Sequence, residues 1–360
     1  MSATHDLREL GQSLWLDNIT RAMLDDGVIE HYIETRDVTG LTSNPSIFDR
    51  AIATGVYDGA VGDAARRGLT NEDIFFELAI QDLQRAADLF VPVHQRTNGV
   101  DGWVSLEVSP QLAYDTARTV EAAQSIHARA ARANLFVKIP GTPPGLAAIE
   151  ACIAAGVPIN VTLLFDADHY RGAADAYLRG VERRVAQGLN PAVGCVASVF
   201  ISRWDTAVAD RVPAELRNQL GLAIGRDAYR AYREVLDSDR FQRLANYGAA
   251  PQRLLFASTK TKDPASADTL YVNGLAAPFT INTMPDDTLD AFFDHGEVGA
   301  PLDRDGGDSA VQLRRFEEAG VDLRALAATL QGDGAAAFTS SWTDLLDKID
   351  LLRTRVADPA

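Results

Sequence analysis

Eight short apolar segments, most of them followed by a stretch with helical spacing of its apolar residues, predict a (β/α)8 TIM barrel with additional helices and a helical C-terminal extension. Size agrees with this: such barrels typically need roughly 250 residues. The 360 present leave room for extra helices, and 46% hydrophobic content is enough for a large core. The rival α/β architecture, an open doubly wound sheet, would normally show a glycine-rich phosphate fingerprint, and the chain has neither G-x-G-x-x-G nor a P-loop. No internal repeat, low-complexity linker or boundary interrupts it, so residues 1–360 read as a single domain.

The predicted strands lie near residues 13–16, 37–41, 102–108, 135–139, 158–164, 192–200, 253–258 and 278–283. Between the second and third, Thr70 and Asp73 form a helix-capping pair, and Phe76, Ile80, Leu83, Ala87 and Phe90 recur at helical spacing. That spacing predicts a long amphipathic helix packed on the sheet. Alanine-rich helical stretches follow the third, fourth and fifth strands, and Gly141 to Gly145 form a turn into one of them. A long helical region over about 213–246 separates the sixth strand from the seventh, and the pattern after Met284 is helical to the end.

Composition excludes several functions. With 50 acidic and 34 basic residues the net charge is −16, which argues against nucleic acid or an anionic membrane as partner. An anionic substrate would need a local basic patch. Cys152 and Cys195 have no metal-ligand spacing and form no disulfide framework, which suits a reducing cytoplasm. The histidines His5, His31, His94, His127, His169 and His295 are likewise not spaced as metal ligands. We therefore expect no metal, no histidine triad and no cofactor. The N-terminal residues lack the basic flank and apolar core of a signal peptide, and no run is apolar enough to span a bilayer, so a soluble, cytoplasmic protein is expected.

Only four residues are lysine, Lys138, Lys260, Lys262 and Lys348; the other 30 basic positions are arginine. Lys138 interrupts the apolar run Leu135, Phe136, Val137, Lys138, Ile139, Pro140. Arginine cannot act as an amine nucleophile, whereas a lysine in apolar surroundings has its charged form disfavoured. An unperturbed amine is free in only roughly one molecule in 2500 at neutral pH; lowering its pKa to about 7 to 8 makes it a usable nucleophile. Schiff-base formation with a carbonyl substrate is the chemistry this favours. A lysine at a strand end reaching out to water fits the same run.

Other polar residues fall at strand ends, where barrel enzymes carry their catalytic groups. Asp17 follows Leu14, Trp15 and Leu16. Period-2 alternation puts Ser105 and Glu107 on one face, opposite Val104, Leu106 and Val108; it pairs Asn160 with Thr162 and Ser198 with Phe200 in the same way. Taken singly, Asp17 also fits a helix cap, Glu107 a salt-bridge partner and Asn160 a satisfied core amide. Five strand ends carrying polar groups at once are better explained by a site. Arg203 after the sixth strand, and Ser258, Thr259, Lys260, Thr261 and Lys262 after the seventh, suit the phosphate site often built from late βα loops. Solvated loop charges remain the alternative for Lys260 and Lys262.

Together these segments resemble the transaldolase family of Schiff-base-forming class I aldolases. The resemblance covers about residues 14–284. It is carried by Leu16, Asp17 and Asn18; Thr42, Ser43, Asn44, Pro45 and Ser46; Ser105, Leu106, Glu107 and Val108 with Tyr114, Asp115 and Thr116; Phe136, Val137, Lys138, Ile139 and Pro140; and the run from Ile159 to Phe165, all in the family's order. It implies a transferase of the non-oxidative pentose phosphate pathway. Such an enzyme moves a dihydroxyacetone unit from sedoheptulose 7-phosphate or fructose 6-phosphate to an aldose phosphate, glyceraldehyde 3-phosphate or erythrose 4-phosphate. Sugar phosphates are then its partners, and the chain acts as a monomer or homodimer. By the same resemblance Lys138 attacks the ketose C2, Glu107 works through a water near Thr162 as acid and base, and Asp17 takes the C4 hydroxyl proton. Asn44, Asn160 and Ser198 match positions that hold the three-carbon unit, while Arg203 and Ser258 match phosphate-binding positions. Many members carry arginine where this chain has Lys260, with Lys262 two residues on, so either lysine fits the phosphate. The stretch from Ser198 to Arg203 departs from the commoner wording but keeps serine, phenylalanine and arginine in register. Related fructose 6-phosphate aldolases tend to carry tyrosine at Phe200. A simple aldolase and a non-catalytic phosphosugar-binding barrel are the alternative readings.

Overall fold

The computed structural model describes residues 2–357. Eight parallel strands close into a barrel in sequence order, the eighth pairing with the first. They are β1 Ser13–Leu16, β2 Val38–Leu41, β3 Val104–Glu107, β4 Leu135–Pro140, β5 Ile159–Leu164, β6 Cys195–Phe200, β7 Gln252–Ala257 and β8 Ile281–Met284. Every residue of β3 to β8 is buried, as strands covered by helices on one face and a filled interior on the other must be.

The interior explains which end of the barrel is open. Low in the barrel Trp103 stacks on Phe136 with ring centres 4.0 Å apart, and Trp15 lies 6.2 Å from Phe136. These rings leave room only for hydrogen at Gly40, where a Cβ would stand 2.7 Å from both the Trp15 ring and the Trp103 carbonyl. Arg253 closes the N-terminal end, its guanidinium donating to Ser13 Oγ at 2.7 Å, Thr280 O at 2.9 Å and Val100 O at 3.0 Å. The C-terminal ends of the strands are left to form the site.

The predicted amphipathic helix spans Asn71–Arg96, with the Thr70 hydroxyl accepting from the Asp73 amide at 3.1 Å and its predicted apolar stripe buried. The region 213–246 is not one helix. A 3-10 turn, Ala214–Leu216, precedes helices Leu220–Asp237 and Asp239–Asn246, because extended Ser238 ends the first and caps the second by accepting from the Phe241 amide at 3.2 Å. The end of the chain is broken as well. A loop over 296–308 rich in glycine and aspartate separates helices Asp286–His295 and Ser309–Glu318, and a short turn over 319–322 precedes helix Leu323–Ala357. Short helices Pro45–Ile52 and Ser202–Val208, not foreseen from spacing, start directly beyond β2 and β6 and carry side chains of the site. No helix among the described residues is long and apolar enough to cross a membrane.

Candidate active site

Parallel register sets Glu107 of β3 opposite Lys138 of β4, and Lys138 opposite Asn160 of β5, so three inward-facing polar side chains form one row across neighbouring strands. Lys138 Nζ lies 3.3 Å from Glu107 Oε2 and donates to the Ser43 carbonyl at 3.2 Å. Both side chains are nearly fully buried, at 6% and 3% exposure. Neither Glu107 oxygen has a hydrogen-bond partner in the protein, nor does the buried Thr162 hydroxyl. The lysine contact is thus a charge contact without hydrogen-bond alignment. Burial raises the Glu107 pKa above its ordinary value, against the pull of Lys138. A carboxyl in that state can hold a proton at a pH where an ordinary glutamate has lost it, which suits it to act as both acid and base.

Asp17, just beyond β1, is tuned by the same opposition. Burial raises its pKa, while Lys138 and a hydrogen bond from Thr42 Oγ1 at 2.9 Å oppose the rise. Thr42 has one hydroxyl proton, which goes to Asp17, so the 2.9 Å contact between the Thr42 and Thr283 hydroxyls is donated by Thr283. This chain from β8 through the end of β2 orients the carboxylate. On the next strands Asn160 donates to Ser105 Oγ at 3.1 Å and accepts from Ser198 Oγ at 2.7 Å, which matches the faces read from alternation. Asn44 caps helix Pro45–Ile52, accepting from the Ile47 amide at 3.2 Å and from Ser46 Oγ at 2.7 Å. Its oxygen is committed to the helix, and its NH2 group is free to meet a ligand.

At the mouth the Arg203 guanidinium sits 5.0 Å over the Phe200 ring and is partly buried. Burial lowers its pKa although Asp333 pulls the other way. Lys262 is exposed as a whole residue, with its ammonium partly desolvated. That partial burial, followed by repulsion from Lys260 and a smaller repulsion from Arg203, lowers its pKa against the pull of Asp287. Lys260 pairs with Asp287. Among the described residues neither Arg203 nor Lys262 has an acidic partner within ion-pair distance. Ser258 adopts φ +56° and its hydroxyl meets that of Ser202 at 2.9 Å.

These groups enclose a cavity of about 350 Å³. Of the residues expected from sequence, Asp17, Asn44, Lys138, Thr162, Ser198, Phe200, Arg203, Ser258 and Lys260 line it. Glu107 and Asn160 lie beneath, in contact with Lys138 and Ser198. Sequence reasoning missed the roles of Thr283, Arg50 and Phe338, all at the cavity wall. Arg50 carries a signal, being one helical turn and a half beyond the Asn44 cap, but Phe338 carries none. Among the described residues no cluster of three or more His, Cys, Asp and Glu side chains is placed to hold a metal ion.

A (β/α)8 barrel with a lysine buried beside a carboxylate at the open end has the architecture of lysine-dependent aldol enzymes. Residues 14–349 match the Transaldolase/Fructose-6-phosphate aldolase family, and the chain belongs to it. It is 44% identical over 358 residues to a transaldolase of Thermobifida fusca, covering 97% of each chain. It is also 41% identical to a transaldolase of Arthrobacter sp., covering 96% of each, and 42% identical to one of Thiobacillus denitrificans, covering 97% of this chain and all of that one.

Proposed function

We propose that the protein is a transaldolase, a transferase of the non-oxidative pentose phosphate pathway that moves a dihydroxyacetone unit between sugar phosphates through a Schiff base on Lys138. The observation that carries this reading is the burial of the Lys138 amine 3.3 Å from Glu107, in a cavity that also holds Asp17. Free Lys138 attacks C2 of the ketose phosphate. Glu107 moves protons, through a water held near the otherwise unpartnered Thr162 hydroxyl, as the carbinolamine loses water. The resulting iminium is an electron sink. Asp17 removes the C4 hydroxyl proton, C3–C4 breaks, and an aldose phosphate leaves while C1 to C3 stay on the enzyme as an enamine. Addition of an aldose acceptor and reversal of the steps release the new ketose.

Asn44, Ser198 and Asn160 hold the hydroxyls of the three-carbon unit. Arg203 and Ser258 receive the phosphate, and of the two nearby lysines Lys262 is the better ligand, because Asp287 already neutralises Lys260. Phe200 supports transfer over simple cleavage, since a phenyl ring cannot position water or a proton at the enamine. The enzyme acts in the cytoplasm as a single barrel domain.

Borohydride reduction with fructose 6-phosphate, followed by peptide mass spectrometry, should place the reduced adduct on Lys138. Lys138→Arg should keep the fold and form no adduct, because length and charge survive while the nucleophile is lost. An adduct elsewhere, or turnover in that variant, would move the chemistry to another lysine. Sustained free dihydroxyacetone from fructose 6-phosphate alone would make the protein a lyase. Binding of sugar phosphate without adduct would leave a non-catalytic barrel.

A further inference from the structure

The C-terminal helix Leu323–Ala357 lies outside the eight strand-helix units, yet one of its faces is fitted to the open end of the barrel. Gln331, Gly334 and Phe338 share that face at spacings of three and four. Gln331 Nε2 donates to Leu163 O at 2.9 Å and to Gly141 O at 3.2 Å, tying the helix to the ends of β5 and β4. Gly334 comes so close that a Cβ there would stand 2.8 Å from Leu163 Cδ2 and 3.1 Å from Arg203 Nη1. One turn later Phe338, 7% exposed, holds its ring centre 5.6 Å from Lys138 Nζ. Beyond it Trp342 meets Phe75 edge-on at 4.8 Å, and Lys348 pairs with Asp49 at 2.6 Å. The helix is therefore clamped on both sides of Phe338, and the ring over the lysine is held in place.

We infer that Phe338 is a specificity-determining residue: its ring roofs the Lys138 nitrogen and keeps water from the enamine, so that the three-carbon unit waits for an aldehyde acceptor. The inference rests on the Schiff base proposed above. After C3–C4 cleavage two outcomes compete at C3. In transfer, the enamine carbon attacks the acceptor aldehyde, the iminium is restored, and the new alkoxide takes the proton held by Asp17. In release, C3 instead takes that proton, relayed by water. Hydrolysis of the C2–N bond then frees dihydroxyacetone and the amine, consuming the water expelled when the imine formed. Hydrolysis is common to both outcomes, so selection lies in the protonation of C3. An apolar ring packed over the nitrogen offers no hydrogen bond to hold a relaying water there.

The test compares free dihydroxyacetone formed from fructose 6-phosphate alone with transfer to erythrose 4-phosphate, in the full-length enzyme and in three variants. Phe338→Ala should raise the ratio of release to transfer about tenfold or more, Phe338→Val by less, and Phe338→Leu, which keeps the bulk, by no more than about threefold. The valine variant decides the matter if the alanine variant does not fold. Equal loss of both rates at an unchanged ratio would make Phe338 merely structural. A rise in the leucine variant as large as in the alanine variant would refute a role for bulk. Borohydride trapping in the parent separates the two claims: no adduct on Lys138 sinks the Schiff base itself, whereas an adduct with an unchanged ratio in the variants sinks only the role of Phe338.

Discussion

Asp17 is kept where its charge is costly, and the cost has a measurable pH dependence. Burial outweighs the attraction of Lys138 and the Thr42 hydrogen bond, so the folded-state pKa lies above the ordinary value of 3.8. Below that value both folded and unfolded chains carry the proton and no penalty exists. As pH rises, the unfolded chain ionises first, so stability falls until the raised folded pKa is passed and is constant above it. Asparagine cannot ionise, and its carbonyl oxygen can still accept from Thr42. Asp17→Asn should therefore gain stability over the parent as pH rises above 3.8, reach a plateau once the raised folded-state pKa is passed, and gain nothing below pH 3.8. Urea melts of both proteins across a pH series measure this; a gain independent of pH would show that burial of the charge is not the cause. The same substitution should slow C3–C4 cleavage by about 10² to 10⁴-fold, the usual contribution of a positioned base.

Strands show where local pattern determines structure and where it fails. Alternation in β3, β5 and β6 sufficed to put Glu107, Asn160, Thr162 and Ser198 inside, because a pleated strand leaves each side chain only two directions. Between Val161 and Leu164, however, the register of β5 against β6 shifts by one residue, and Leu163 takes φ +59°. Partners distant in sequence satisfy the backbone there: the Gly141 amide donates to Thr162 O at 2.7 Å and Gln331 to Leu163 O. No local reading of β5 could contain Gln331, and for the same reason Phe338 could not be found from its own neighbourhood. Ser238 was readable in principle, since serine favours helix starts, but apolar spacing on both sides of it masked the break. Gly40 presents the opposite case, a residue with a bland local context and a strict tertiary requirement. A methyl group there meets the Trp103 carbonyl, which belongs to the barrel wall and cannot rotate away. Gly40→Ala should destabilise the protein by about 1 to 3 kcal/mol through overpacking. Equilibrium urea unfolding measures it, and an unchanged midpoint would mean that the aromatic layer can shift to make room.

For the whole molecule the question is how a chain of net charge −16 takes up anionic sugar phosphates. The acidic surface repels them at long range, but beyond about 8 Å at physiological ionic strength that field is largely screened. Inside this distance the mouth presents Arg203 and Lys262, neither with an acidic partner within ion-pair distance among the described residues, while Lys260 is neutralised by Asp287. The depressed pKa values of Arg203, lowered by burial, and of Lys262, lowered by burial and then by repulsion from Lys260, express the same situation, because partly desolvated cations favour an anion between them. Replacing Lys262 by methionine should raise KM for fructose 6-phosphate about tenfold with a smaller change in kcat, since ground state and transition state lose the same phosphate contact. Lys260→Met should cost less, because its charge is already shared with Asp287. The parent's own response to salt mixes relief of global repulsion with weakening of local attraction, so it is less informative than the ratio of KM values, variant to parent. That ratio should be largest at low ionic strength and shrink as salt is added, because what the substitution removes is a screened attraction. Steady-state kinetics of both variants across a salt series would show it. A larger effect at Lys260 than at Lys262, or a ratio insensitive to salt, would assign the phosphate to other donors.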